Sequence, residues 1–368
     1  MKLVFTGDIC FGNIDKFTDN PFKNIVATLS KLNCVVNLEA VFLPKLYTGN
    51  PIKQKMCLRQ NDETIAYLKQ LNPLLVNLSN NHINDYGNLG AKNVIKQLQT
   101  ADLQYLGAGY SDQEHNLFGF KKEKILFLAY TTRDTDTTGS KLFNEPNLIG
   151  PKEFSFELIK RQIRGYERYK KIVLFHWGVE DLNYPLSEQR TVAKKLIDLG
   201  IDLIIGNHPH VVQSYEQYKG KWIFYCLGHF FFPHFVMNEN KLTYYRGKYF
   251  DFQHKNRNKS IVPVFEINHE GIVLDRIYTI KANSNFEQKF INKSIHHNLF
   301  LFRNDKLYSL FYKYHVIYRK WVHRIFWPLR KIKILIFFIK WHLAPFSKHL
   351  FWSLKVYLGK YRSISHGK

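Results

Sequence analysis

Asp202-Leu-Ile-Ile-Gly-Asn-His208-Pro-His210 reads as a short apolar strand that runs directly into two histidines. A continuous apolar run this short predicts a strand covered on both faces, as in a layered parallel sheet. Pro209 biases His208 toward extended backbone, and in extended backbone residues two apart face the same side. His208 and His210 are therefore expected to converge on one ion or one phosphate. The alternative is a pair of surface-loop histidines, since the chain has 16.

The same design repeats along the chain. Further strands are predicted at Leu3–Thr6, Cys34–Leu38, Leu74–Leu78, Ile125–Tyr130, Ile172–Phe175, Trp222–Tyr225 and Val262–Ile267. Helical periodicity predicts Pro21–Leu32, Asn61–Leu71, Leu89–Thr100, Glu153–Tyr169 and Leu186–Leu199, the last stopped by Gly200. Strands alternating with helices define an α/β fold. Its ligand sites are expected at the C-terminal strand ends.

Those ends carry polar clusters. Leu-Phe-His176-Trp-Gly-Val-Glu180 ends a strand in a histidine, either a metal ligand or a core imidazole capping the strand. Leu78-Ser-Asn80-Asn81-His82-Ile-Asn-Asp85-Tyr-Gly87 offers an amide oxygen at Asn81 and a proton at His82, with Asp85 placed to orient that imidazole; the alternative is an asparagine-rich turn. Thr6-Gly7-Asp8 and Asn37-Leu38-Glu39 each add a carboxylate. Mixed Asp, Glu, Asn and His donors suit a borderline divalent ion such as Mn²⁺, Fe²⁺ or Zn²⁺. Several carboxylates allow two such ions, the arrangement suited to phosphoryl chemistry.

Composition narrows the class further. The 368 residues are 45% hydrophobic and 16% aromatic, which excludes wholesale disorder, collagen and coiled coil. Net charge is +23, so an anionic partner is expected. Four dispersed cysteines, Cys10, Cys34, Cys57 and Cys226, exclude a disulfide scaffold or thiolate zinc site and fit a reducing compartment. Met1-Lys2 is followed at once by strand-like residues, so no secretory signal is expected, and no apolar run is long enough for a spanning helix.

The segments VFTGDICFGN, VVNLEAVF, LLVNLSNNHINDYG, IVLFHWGVED, the run from Ser187 to IDLIIGNHPHVVQSYE, and WIFYCLGHFFF resemble, in order, the bacterial capsule-synthesis CapA family, over about residues 1–235. The resemblance implies a calcineurin-like metallophosphatase fold, a four-layer α/β/β/α sandwich with its metal site at one sheet edge. It implies Asp8, Glu39, Asn81, His176, His208 and His210 as ligands of one or two divalent ions. His82 becomes the proton donor, supported by Asp85, while Asn80, Glu180, Glu216 and His229 fall around the substrate. The two glutamates are expected to orient histidines. Two departures stand out. Phosphatases of this fold carry Asp-x-His in the first motif, whereas Asp8 is followed by Ile9-Cys10, which leaves one metal position short of a ligand. His229 stands where the family has Asn in LGNF, and either supplements the site or replaces a supporting amide.

From Leu301 to Lys368 the net charge is +14, with Trp321, Trp327, Trp341 and Trp352 interspersed. This tail divides the chain into a body, 1–285, and a basic aromatic segment, 286–368, which Pro328 and Pro345 split into short amphipathic helices. Such helices suit an anionic membrane surface; packing on the body ranks second and single-stranded nucleic acid third. The expected protein is a cytoplasmic, membrane-peripheral capsule or envelope polymer factor with a phosphoesterase-like site. It acts on an anionic polymer or phosphorylated envelope precursor. The competing expectation is a non-catalytic assembly or export factor binding the polymer or a glycan-synthesis partner.

Overall fold

A computed structural model describes residues 1–12, 20–44, 47, 51, 57–135, 143, 147–232, 235–238, 241–244, 259–282, 288–290 and 305–314. The expected tail helices beyond residue 314 and the 285/286 boundary lie outside these residues. The chain divides into two compact units, Met1–Arg303 and Asn304–Lys368; in the second, residues 305–314 form a helix.

The first unit is mixed α/β. In chain order its strands are β1 (Lys2–Ile9), β2 (Asn33–Leu38), β3 (Val41–Leu43), β4 (Arg59–Asn61), β5 (Pro73–Asn77), β6 (Tyr105–Leu106), β7 (Leu117–Phe120), β8 (Ile125–Thr131) and β9 (Lys170–His176). They continue as β10 (Leu203–Asn207), β11 (Tyr215–Tyr218), β12 (Lys221–Phe224), β13 (His229–Phe231), β14 (Phe235–Asn238), β15 (Lys241–Tyr244), β16 (Lys259–Ile267), β17 (Ile272–Ala282) and β18 (Gln288–Phe290). The helices are α1 (Val26–Leu29), α2 (Ile65–Gln70), α3 (Gly87–Thr100), α4 (Phe156–Gln162) and α5 (Ser187–Asp198). One large sheet runs β18-β17-β16-β1-β2-β5-β6 with β13 also on β1; a second runs β11-β12-β10-β9-β8-β7.

Side-chain alternation along each strand builds the layers. Phe5, Val35 and Leu75 of the first sheet share one apolar cluster with Phe127, Ile172, Leu174, Leu203 and Ile205 of the second, so the sheets face each other. Val4, Val36 and Val76 point the other way and pack with Leu29, Leu68, Val94 and Leu98 of the helices. Burying apolar area between layers at about 25 cal/mol per Å² is the main stabilising term.

All eight predicted strands form. Three helices are shorter than the periodicity predicts; Asn61–Leu71 yields α2, preceded by a 3-10 turn over Asp62–Thr64. Pro21–Leu32 contracts to α1, whose start at Ile25 has no side-chain cap. Glu153–Tyr169 contracts to α4: the Ser155 hydroxyl accepts from Leu158 N–H and sets its start, and Gly165 turns the chain beyond its end with φ +83°. Gly200, at φ +103°, ends α5 as expected.

Beside the site, β1 is clasped on one edge by β13. Asp8 N–H donates to Gly228 O at 3.0 Å and Cys10 N–H to Phe231 O at 2.7 Å. A Cβ on Gly7 would fall 1.9 Å from Gly228 O, against backbone that cannot swing away. Gly7→Ala is expected to destabilise the chain by about 3 kcal/mol, the upper range for overpacking, read as a lower denaturant midpoint. An unchanged midpoint would refute this close approach.

Candidate metal centre

The polar cluster grows out of the strand alternation. Val35, Leu75, Ala129, Leu174 and Ile205 face the layer between the sheets. Two residues further on, at the strand ends, the same face carries Asn37, Asn77, Thr131, His176 and Asn207. Asp8 is three residues beyond Phe5 and in a regular strand would face the helices. A register shift between Phe5 and Asp8 in the β1–β2 ladder turns it to the site instead.

Asp8, Glu39, His176, His208 and His210 are all buried. Asp8, Glu39 and His176 form one group of donor atoms within 4.8 Å of one another; Glu39, His208 and His210 form a second, and Asp8, His210 and His229 a third. His210 lies between the carboxylates, with Nδ1 3.2 Å from Asp8 Oδ2 and Nε2 3.8 Å from Glu39 Oε1. His176 Nε2 is 3.4 Å from Glu39 Oε1, 3.1 Å from His208 Nδ1 and 2.9 Å from Asn81 Oδ1. Asn81 donates through Nδ2 to Thr135 O at 3.2 Å, which turns its oxygen toward His176.

These residues fit a divalent transition ion. Two donors each about 2.1 Å from one ion lie roughly 3–4 Å apart, the spacing seen here. Asn207, the ladder neighbour of His176, buries an amide oxygen with no hydrogen-bond partner among the described residues. Burial pushes Asp8 up to about 7, against the opposing pull of the His208 N–H, Glu39 and Asn37. A bound cation favours the charged carboxylate and offsets this desolvation.

His208 departs from the expectation. Its φ is +97° and that of His210 is +60°, so neither is extended. β10 ends at Asn207, and the rings converge through two left-handed residues rather than through strand alternation. Non-glycine residues held there store of order 1–3 kcal/mol each. The His208 N–H, 3.4 Å from Asp8 Oδ2, ties this turn to the site.

His82 stands at the edge of the cluster. Its Nδ1 is 2.7 Å from Asp85 Oδ2, which also accepts Leu58 N–H at 2.6 Å. Its Nε2 is 4.0 Å from Glu39 Oε1. Asp85 thus fixes the ring and directs Nε2 toward the donor atoms.

The other expected substrate contacts divide. Glu180 is half-buried and close enough for its charge to raise the pKa of Asp8. His229 lies in the third donor group. Asn80 is committed to backbone: Nδ2 donates to Leu38 O at 2.8 Å and Leu78 O at 3.1 Å, and Oδ1 accepts His82 N–H at 2.9 Å. It shapes the loop that presents Asn81 and His82. Glu216 forms a two-pronged ion pair with buried Arg190, at 2.9 and 2.8 Å, and accepts Tyr225 OH at 2.6 Å. It fastens β11 to α5 and to Tyr225 at the exit of β12 rather than orienting a histidine of the cluster.

The sequence reading missed a buried amide chain behind Asp8. Asn37 Nδ2 donates to Asp8 Oδ1 at 2.8 Å, Asn77 Nδ2 to Asn37 Oδ1 at 2.8 Å, and Ser79 N–H to Asn77 Oδ1 at 3.1 Å. The signal was present: each asparagine sits two residues past an inward apolar residue.

The fold and cluster define a two-sheet α/β protein with a buried carboxylate–imidazole site able to hold a divalent ion. Residues 2–234 match the family described as bacterial capsule synthesis protein PGA_cap, and the chain belongs to that family. It is 31% identical over 249 residues to the capsule biosynthesis protein CapA of Bacillus anthracis, covering 63% of this chain and 60% of that protein. It is 32% identical over 244 residues to the PGA biosynthesis protein CapA of Bacillus subtilis, covering 63% of each. A probable polyglutamine synthesis accessory protein of Mycobacterium tuberculosis is 24% identical over 211 residues, covering 53% of this chain and 54% of that protein. The chain thus spans under two thirds of the length of these relatives. Among the described residues no helix is long and apolar enough to cross a membrane.

Proposed function

We propose that the chain serves synthesis of an anionic capsule or envelope polymer through a metal-dependent phosphoesterase-like centre. The buried group of Asp8, Glu39, His176, His208 and His210 carries this reading. Asp8, Glu39, Asn81, His176, His208 and His210 hold one or two ions of the Mn, Fe or Zn type. When bound, such an ion supplies Lewis acidity toward a phosphoryl oxygen and lowers the pKa of water. His82 delivers a proton from Nε2 to the leaving oxygen, and Asp85 keeps the opposite nitrogen engaged. Asn37 fixes the Asp8 carboxylate from behind. The architecture proposed is the four-layer α/β/β/α sandwich, with α5 contributing to the outer layer on the second sheet. The substrate is a phosphorylated envelope precursor or the anionic polymer itself.

Metal analysis of the purified chain, paired with a phosphoester screen with and without Mn²⁺, tests the reading. Bound metal with Mn²⁺-dependent turnover is expected. Stoichiometric metal with no turnover would favour the assembly or export role. One observation supports that rival: after Asp8, β1 and its exit bury Ile9 and Cys10 in apolar clusters, and neither joins a donor group.

The tail is proposed to bring the protein to the cytoplasmic membrane face. Net charge +14 with interspersed tryptophans suits an anionic interface. The full chain should co-sediment with acidic vesicles, ignore neutral ones, and lose binding as salt screens charges over about 8 Å. Failure to bind acidic vesicles at low salt would overturn this placement.

A further inference from the structure

We infer that His229 is a metal ligand, completing with Asp8 and His210 an ion position separate from the one built on Glu39 and His176; this rests on the metal reading above. β13 runs parallel to β1 with His229 directly beside Asp8 in the ladder. Parallel neighbours in register point their side chains to the same face, so the imidazole and the carboxylate emerge together. The two strands cannot drift apart there, because Gly228 and Phe231 accept backbone N–H groups from Asp8 and Cys10 on either side of the pair.

His229 is 3% exposed. Its ring stacks on Phe232 with centroids 4.3 Å apart and planes 5° apart, and lies 4.5 Å from the His210 ring. Stacking against Phe232 limits rotation of the ring, which lowers the entropy lost on ligation. Donor atoms of Asp8, His210 and His229 all fall within 4.8 Å of one another. Bland packing would not require an imidazole here: a buried aromatic could fill the place on Phe232, but it would offer no donor beside Asp8.

The two donor groups differ in chemistry. Asp8, His210 and His229 supply two imidazoles and one carboxylate, which select Fe²⁺, Co²⁺ or Zn²⁺ over Mg²⁺ or Ca²⁺. Asp8, Glu39 and His176 supply two carboxylates and one imidazole, with the Asn81 oxygen adjacent to His176. That more oxygen-rich set accepts harder ions such as Mn²⁺. Asp8 belongs to both, so its two oxygens can serve two ions. Because β1 adds no donor after Asp8, the second imidazole comes from β13.

Co²⁺ titration of the full chain, followed by visible absorption and metal content, tests this. The wild type is expected to bind two equivalents. His229→Gln should lose one equivalent or weaken it at least tenfold, while the other stays. His229→Cys should add a near-ultraviolet thiolate-to-Co²⁺ charge-transfer band, a direct signature of ligation at 229 that does not depend on the fate of the Gln variant. Circular dichroism of the metal-free proteins checks folding. If the wild type binds Co²⁺ and both variants titrate like it, with no new band from the cysteine, His229 is not a ligand and the metal reading survives. If the wild type binds no ion, the metal reading itself falls, and this inference with it.

Discussion

His82→Asn is expected to lower phosphoester turnover by about 10²–10⁴-fold, the scale of a lost general acid, while bound metal stays at the wild-type level. The geometry separates the two roles. His82 Nδ1 is taken by Asp85 at 2.7 Å, and Nε2 stands 4.0 Å from Glu39, outside every donor group of the centre. The leaving group provides the decisive comparison. A nitrophenolate leaves without a proton, so its ester should lose far less rate than an alkyl ester. An equal loss on both, or a fall in metal content, would make His82 a structural or ligating residue instead. Asp85→Asn should follow the same pattern more weakly, because it acts through the ring it holds.

His210→Ala is expected to weaken metal binding at least about 100-fold, beyond the 10–100-fold typical of groups that only support a ligand. His210 is common to two of the three donor groups, and its ring bridges Asp8 and Glu39 at 3.2 and 3.8 Å. Its removal also brings two buried carboxylates into one low-dielectric space without the ring between them. His208→Ala belongs to one group and should cost about tenfold. Calorimetric titration with Mn²⁺ and Zn²⁺ reads both. Wild-type affinity in His210→Ala would remove the metal centre from its assigned place.

Much of this was legible because the signals are local. Leu203–Ile205 and Ile172–Phe175 are continuous apolar runs, and a chain that buries both strand faces has no other way to write itself. Where polar and apolar residues alternate, the reading weakened. Ile272–Ala282 carries Asp275, Arg276 and Lys281 among its apolar residues, so its local pattern does not announce β17, although it pairs with β16 along its length. α1, α2 and α4 are shorter than their periodic segments because helical periodicity carries no information about the turns that replace the first and last coils. Glu216 followed the motif in sequence, yet Arg190 and Tyr225 claim its carboxylate, a competition that only the packed chain reveals.

By itself the sequence determined the α/β class, eight predominantly apolar strands, and the residue types gathered at their ends, because apolar run length and strand period are properties of adjacent residues. It also placed the chain in its family. The tertiary structure alone decided how those ends meet. Asp8 reaches the site through a one-residue irregularity that reverses its facing. His208 and His210 converge through positive φ angles, in the case of His208 against the extended backbone that Pro209 favours. His229 arrives beside Asp8 because β13, more than 200 residues later, pairs with β1 so that these two residues lie opposite each other. Facing, handed turns and register depend on contacts between distant segments, and no pattern of neighbouring residues encodes them.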